Sequence, residues 1–140
     1  MEKLLNLMTE KNHYLEKFYS LNAEELVNFG DGNYENVESF YRARDKILDL
    51  IRTIDEMIDA EAKITAIPLE ANAKADVEKL LGNKDEWVTA ILSQDLQVLS
   101  WIEKEKSNII KELQTVGKAK KAVAGYHSGN RVAAKFDEEA

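Results

Sequence analysis

The stretch from Val88 to Val116, VTAILSQDLQVLSWIEKEKSNIIKELQTV, carries the clearest pattern in the chain. Its residues recur in alternating steps of four and three, the spacing of a heptad seam on a helix. The seam consists of Val88, Leu92, Asp95, Leu99, Ile102, Lys106, Ile109, Leu113 and Val116. A second stripe beside it consists of Trp87, Ile91, Val98 and Trp101. The predicted helix, which begins near Asn83, therefore has an apolar face wider than a two-helix seam requires.

Two further helices are predicted before this stretch. Residues Glu2 to Phe29 place leucines, methionine and phenylalanines near helical spacing, with polar interruptions at Asn12 and Asn22. A second helical pattern runs from Tyr34 to about Ile64. The aromatic residues predicted to pack between these two helices are Tyr14, Phe18, Tyr19, Tyr34, Phe40 and Tyr41.

The residues FGDGNY, 29–34, separate the two patterns. Gly30 suits the left-handed position after a helix end, and the side-chain oxygen of Asn33 can cap the next helix. Because this connection is short, the two helices are predicted to form an antiparallel hairpin.

The remaining boundaries follow from proline and glycine. Pro68 removes a backbone donor and predicts a kink or short loop, and Leu69–Leu81 is predicted to be a short helix ended by Gly82. After Gly117 the apolar pattern stops, and the alanine-rich parts of the segment that follows are compatible with a transient helix. The predicted fold is all-α, an elongated three-helix bundle or antiparallel coiled-coil hairpin at residues 1–116, with a flexible, partner-binding tail at residues 117–140.

Charge and composition narrow the class of protein. The chain has 140 residues and a net charge of −7, and residues 1–116 hold 14 basic and 23 acidic side chains, a net of −9. Such a body repels phosphate, so nucleic acid is not the predicted partner. Cysteine is absent and no apolar run has membrane-spanning length, so a cytoplasmic protein without membrane insertion is expected.

The sequence predicts no enzyme, no metal site and no cofactor. Glu10 and His13 match one Glu-x-x-His element of a di-iron bundle, but His127, the other histidine, has no glutamate three residues before it. GDGNYE, residues 30–35, lacks the last glycine of a nucleotide-binding loop and follows no strand. A surface histidine and a helix cap are the favoured interpretations.

Two pairs of carboxylates lie at helical spacing, Asp45 with Asp49 and Asp55 with Asp59. An acid/base pair would have this spacing, but neither pair has a histidine partner. Since charged residues are usually exposed, a solvated helix face is favoured over a catalytic pair.

Trp87 and Trp101 lie two heptads apart on the third helix. Burial in the core is one interpretation. The alternative is an exposed groove that binds a partner helix, because large exposed apolar patches mark interaction sites.

A resemblance to a known family covers nearly the whole chain. Residues 10–51, EKNHYLEKFYSLNAEELVNFGDGNYENVESFYRARDKILDLI, resemble the N-terminal hairpin of flagellar type III export chaperones of the FlgN type. The residues that carry this likeness are Glu24, Glu25, Leu26, Gly30, Asp31, Arg44, Lys46, Ile47 and Leu48. GYHSGNR, residues 125–131, is similar to the family's tyrosine-containing tail. The likeness is weakest over residues 62–84, the hairpin also suits FliT-type chaperones, and the acidic end KFDEEA departs from the pattern.

The resemblance implies a cytosolic chaperone that binds hook-associated flagellar proteins and delivers them to the export gate. Its implied cargo surface consists of Leu99, Ile102, Ile109, Ile110, Leu113 and Val116. Its implied contact with the cytoplasmic domain of the gate is Tyr126, and the alternative is that this tyrosine is an inert residue of the tail.

A rival hypothesis is a structural protein without an export role. In it, the third helix self-associates as a dimeric coiled coil, and the polar seam residues Asp95 and Lys106 set the register.

Overall fold

The computed structural model describes residues 1–65 and 69–126, with side chains described up to Val123. Within these ranges the chain forms three α-helices and no strand: α1 (Glu2–Gly30), α2 (Val37–Ile64) and α3 (Ala71–Tyr126). The predicted all-α class is confirmed. The chain divides into two compact units, Met1–Leu99 and Ser100–Ala140.

In the first unit, α1 and α2 form the predicted antiparallel hairpin. Lys3 near the start of α1 pairs with Glu61 near the end of α2, at 3.1 Å between Nζ and Oε1. Further along, Lys11 pairs with Asp55 at 2.6 Å. The residue number on α2 falls as the residue number on α1 rises, so the two helices run in opposite directions.

Helix α1 ends in a Schellman motif. The N–H of Asn33 donates to the carbonyl of Asn28 at 2.8 Å, and the N–H of Gly32 donates to the carbonyl of Phe29 at 3.0 Å. In this motif the residue after the C-cap is left-handed, and here that residue is Gly32, with a φ of 76°. The prediction that Gly30 takes this position is wrong, because α1 continues through Gly30.

The connection between α1 and α2 is held by a turn and by stacked rings. Asn33 Oδ1 accepts the N–H of Glu35 at 3.0 Å, which closes an Asx turn. The N-cap of α2 is Asn36, so the prediction that Asn33 caps this helix is wrong. Phe29 is fully buried, stacks on Tyr34 at 4.9 Å between ring centroids, and meets Phe40 edge-on at 6.4 Å. The predicted packing of aromatics between the first two helices is confirmed for Tyr34 and Phe40, whereas Tyr41 is exposed.

All three helices contribute to the core of the first unit. Its centre is the buried cluster Leu15, Phe18, Ile51 and Ile91. Trp87 packs against this cluster and its ring lies 5.4 Å from that of Tyr19. The stripe of α3 that enters this core is therefore the one that contains Trp87, Ile91 and Val98, while Leu92 and Leu99 of the heptad seam remain exposed.

Helix α3 is longer than predicted in both directions. It runs without a break through Gly82, where an added Cβ would meet no atom within 4 Å, so the predicted short helix over residues 69–81 is wrong. It also continues past Gly117 to Tyr126, so the first ten residues of the predicted tail are helical. Pro68 and residues 127–140 lie outside the described residues. The functional division at residue 117 stays a prediction.

Candidate binding surface

Most of the residues predicted to bind cargo lie in the second unit, on the part of α3 after Leu99. Leu113 is 66% exposed and Val116 is 62% exposed, and both Ile109 and Ile110 are also exposed. Ile102 is half-buried. Exposed branched side chains so close together form an apolar surface of the kind that marks interaction sites.

Helical geometry places all of these residues except Ile110 on the heptad seam, and three of them are exposed within the second unit. Ile109, Leu113 and Val116 follow one another at steps of four and three, so they lie on one face of α3. Ile110 follows Ile109 directly, about 100° further around the helix. Leu99 is the last residue of the first unit and is 56% exposed. The structure therefore brings together a three-residue apolar surface at Ile109, Leu113 and Val116, which we call the distal face.

The two tryptophans have different surroundings. Trp87 belongs to the packing of the core, as the core interpretation predicted. Trp101, in the second unit, is half-buried, and Lys104 Nζ lies 4.9 Å from its ring centroid. This lysine covers one face of the indole with a cation–π contact.

The first unit contains a buried polar layer that was not predicted from the sequence. Asn22 is fully buried, and its Nδ2 donates to Gln94 Oε1 at 3.2 Å and to Asp95 Oδ1 at 3.1 Å. Gln94 Nε2 donates in turn to the carbonyl of Tyr19 at 3.0 Å, and Arg44 binds Asp95 at 3.1 Å. These directional contacts link α1, α2 and α3 at one level and satisfy the buried amide nitrogen of Asn22.

A signal for this layer was present in the sequence. On α1 the residues Leu15, Phe18, Asn22, Glu25 and Phe29 follow steps of three and four, and all of them are buried. A polar residue within such a series marks a core position that needs a polar partner, as a buried asparagine does in a coiled coil. Asn22 is thus part of the core stripe and does not interrupt it.

The side chains considered for catalysis have ordinary surroundings. His13 is exposed, with its ring 5.8 Å from that of Tyr14. Asp49 forms an ion pair with Arg52 at 3.1 Å, and Asp55 forms one with Lys11. Among the described residues, no group of three or more histidine, cysteine, aspartate or glutamate side chains is placed to hold a metal ion.

Tyr126 is the last residue of α3, and its side chain lies outside the described residues. The predicted contact of this tyrosine with an export gate therefore stays a prediction.

The two polar seam residues differ in their contacts. Asp95 is engaged within its own chain by Arg44 and Asn22. Lys106 is exposed. If Asp95 set the register of a dimer, its carboxylate would have to give up these contacts.

No family model, no curated protein and no solved structure matches this chain. Of the helices that the structure describes, none has a stretch long and apolar enough to cross a membrane. The functional assignment therefore depends on the surfaces described above and on the sequence resemblance.

Proposed function

We propose that this chain is a binding protein that holds an apolar, helix-forming segment of another protein on the distal face of α3. The observation that carries the proposal is the exposure of Ile109, Leu113 and Val116 at helical spacing. An amphipathic helix docks onto such a surface through its own residues at steps of three and four. Burying these side chains would contribute about 1.5 to 3 kcal/mol for each one that becomes fully buried.

Within this class we propose a cytoplasmic export chaperone of the FlgN type, whose cargo is a hook-associated flagellar protein. The support is the sequence resemblance over residues 10–51, together with an all-α fold that carries an exposed apolar helix face. The formal charge of −9 over residues 1–116 supports a protein partner over a nucleic acid. Chaperoning needs no catalytic group, cofactor or metal.

The proposal predicts that charges on the distal face abolish cargo binding. The test variant is Ile109→Asp/Leu113→Asp, since a buried carboxylate without a partner is strongly unfavourable. A matched control is Asn108→Asp/Gln114→Asp, which adds the same two charges at exposed positions about 100° away from the test positions. Both variants should keep the helical circular dichroism of the wild type.

The assay is a titration of purified protein with the C-terminal segments of hook-associated proteins. Wild type and control should bind equally, and the distal-face variant should show no measurable binding. Equal binding by the distal-face variant would remove this surface from the proposal. If none of these segments binds wild-type protein, the export-chaperone assignment is wrong.

Tyr126 is proposed as the contact with the cytoplasmic domain of the export gate. An aromatic anchor at the centre of a small interface commonly contributes about 2 kcal/mol, roughly thirtyfold in affinity. Tyr126→Ala should lower gate affinity by about that factor, measured with cargo present, and should change cargo affinity less than about threefold. A matching loss of cargo affinity would assign Tyr126 to the cargo surface, and unchanged gate affinity would make it inert.

A further inference from the structure

The first unit has an ion pair held firmly between α2 and α3. Arg44 Nη2 lies 3.1 Å from Asp95 Oδ1, and the same oxygen accepts a hydrogen bond from Asn22. The guanidinium also lies over the rings of Phe18 and Tyr41, at 4.9 Å and 5.4 Å from their centroids. Side chains on both helices are therefore fixed at this level.

Exposed apolar side chains lie on both sides of this ion pair. Tyr41 precedes Arg44 by three residues and Leu48 follows it by four, so both lie on the helix face that carries Arg44. By the same spacing, Leu92 and Leu99 lie on the face of α3 that carries Asp95. Leu92 is 60% exposed, and the other three are exposed as well. We call the four residues Tyr41, Leu48, Leu92 and Leu99 the α2–α3 patch.

The net charges of two parts of the chain indicate which kind of partner binds the α2–α3 patch. Residues 1–99 carry 11 basic and 20 acidic side chains, a formal net charge of −9. Residues 100–126, the part of α3 in the second unit, carry six basic and three acidic side chains, a net of +3. A unit with a net negative charge favours a partner with a net positive charge and disfavours a copy of itself. The chain itself contains an amphipathic helix of the complementary sign.

We propose that the α2–α3 patch binds a second copy of this chain, through residues 100–123 of that copy's α3. The distal face, with Ile109, Leu113 and Val116 at i, i+4 and i+7, has the spacing of a helix that docks in an apolar groove. Asp45, which is exposed between the levels of Tyr41 and Leu48 on α2, can pair with a lysine of that segment. The contact joins two unlike surfaces of the same chain.

This arrangement differs from a symmetric seam between two third helices. In a symmetric parallel seam, Asp95 of one copy would face the same residue of the other, and like charges opposite each other are unfavourable. In the proposed contact, Asp95 keeps its bonds to Arg44 and Asn22. The proposal does not depend on the identity of any cargo.

The first test measures the oligomeric state of the full chain by sedimentation velocity across protein concentration and salt. We expect reversible self-association that weakens as salt rises, because salt screens the contact between opposite charges. Leu48→Lys/Leu92→Lys should raise the dissociation constant at least tenfold, since it removes apolar area and repels the basic segment. Val27→Lys/Leu50→Lys is the matched control; Leu50 lies about 200° around α2 from Leu48, and all four positions are exposed.

The second test mixes two variants that each fail to self-associate. The patch variant Leu48→Lys/Leu92→Lys keeps an intact distal face, and Ile109→Asp/Leu113→Asp keeps an intact patch. Mixed, they should associate with each other through the one contact that remains complete. The milder Leu48→Ser/Leu92→Ser variant replaces the first if the lysines lower its helical circular dichroism.

The outcomes separate the possible occupants of the patch. A monomeric wild type at every concentration would overturn the proposal, as would a patch variant that associates like the wild type. A mixture that stays monomeric would indicate a symmetric seam. The patch variant should retain cargo binding on its distal face, so loss of self-association and loss of the proposed function are read separately.

Discussion

Asn22→Ala tests how much the buried polar layer contributes to stability. Asn22 is fully buried and donates to Gln94 at 3.2 Å and to Asp95 at 3.1 Å. Each lost hydrogen bond costs about 0.5 to 1.5 kcal/mol net, and the vacated volume adds about 1 kcal/mol. Alanine regains up to about 0.7 kcal/mol in helix propensity. We expect the free energy of unfolding to fall by about 2 kcal/mol.

The assay is equilibrium unfolding in urea, followed by far-ultraviolet circular dichroism and by tryptophan fluorescence. Trp87 packs on the core of the first unit, so its emission is expected to respond to that unit. Asn6→Ala is the control, because Asn6 is exposed on the same helix and undergoes the same chemical change. The control should be neutral or slightly stabilised. If Asn22→Ala unfolds at the same urea concentration as Asn6→Ala, the reasoning about the layer is refuted.

A double-mutant cycle with Gln94→Ala isolates the Asn22–Gln94 hydrogen bond. Gln94→Ala alone also removes the bond to the carbonyl of Tyr19, so its own cost includes more than the shared contact. The double variant should be more stable than the sum of the two losses predicts, by about 1 kcal/mol, because the shared bond is then counted once. Strict additivity would show that this hydrogen bond contributes nothing.

Further predictions concern backbone conformation and the ion pair. Gly32→Ala should lower the free energy of unfolding by about 1 to 2 kcal/mol, since Gly32 has a φ of 76°. Gly30→Ala should leave the free energy of unfolding unchanged or raise it by up to about 1 kcal/mol. Equal urea midpoints for the two variants would contradict both expectations. Gly82→Ala should raise the free energy of unfolding by about 0.5 to 1 kcal/mol, measured by calorimetry. A decrease would show that alanine is strained at this position. Arg44→Lys should cost about 1 to 2 kcal/mol in urea unfolding, because lysine cannot both stack on the rings and reach Asp95; an unchanged midpoint would mean that charge alone suffices.

The hairpin was predictable because local chemistry determines it. Glycine and asparagine in residues 29–34 required a helix end and a tight connection, and the apolar spacing on both sides required two helices. The error lay in which glycine takes the left-handed conformation. Both Gly30 and Gly32 permit it, and the choice follows from how far α1 continues before Asn33 and Gly32 close the Schellman bonds.

The polar layer was not predicted because its partners are far apart in sequence. Asn22 and Gln94 are 72 residues apart, so no local pattern connects them. Each alone resembles an interruption of an apolar stripe. Only the position of Asn22 in the series of buried residues that includes Phe18 and Phe29 indicates that a polar partner must exist.

The same limit explains why the exposed part of α3 was only partly anticipated. Steps of three and four predict an apolar helix face, but whether that face is core or surface depends on whether another helix lies beside it. Helix α3 has 56 residues, against 29 in α1 and 28 in α2. The sequence prediction began this helix near Asn83, whereas it begins at Ala71, and Leu113 and Val116 are exposed although their spacing is that of a core.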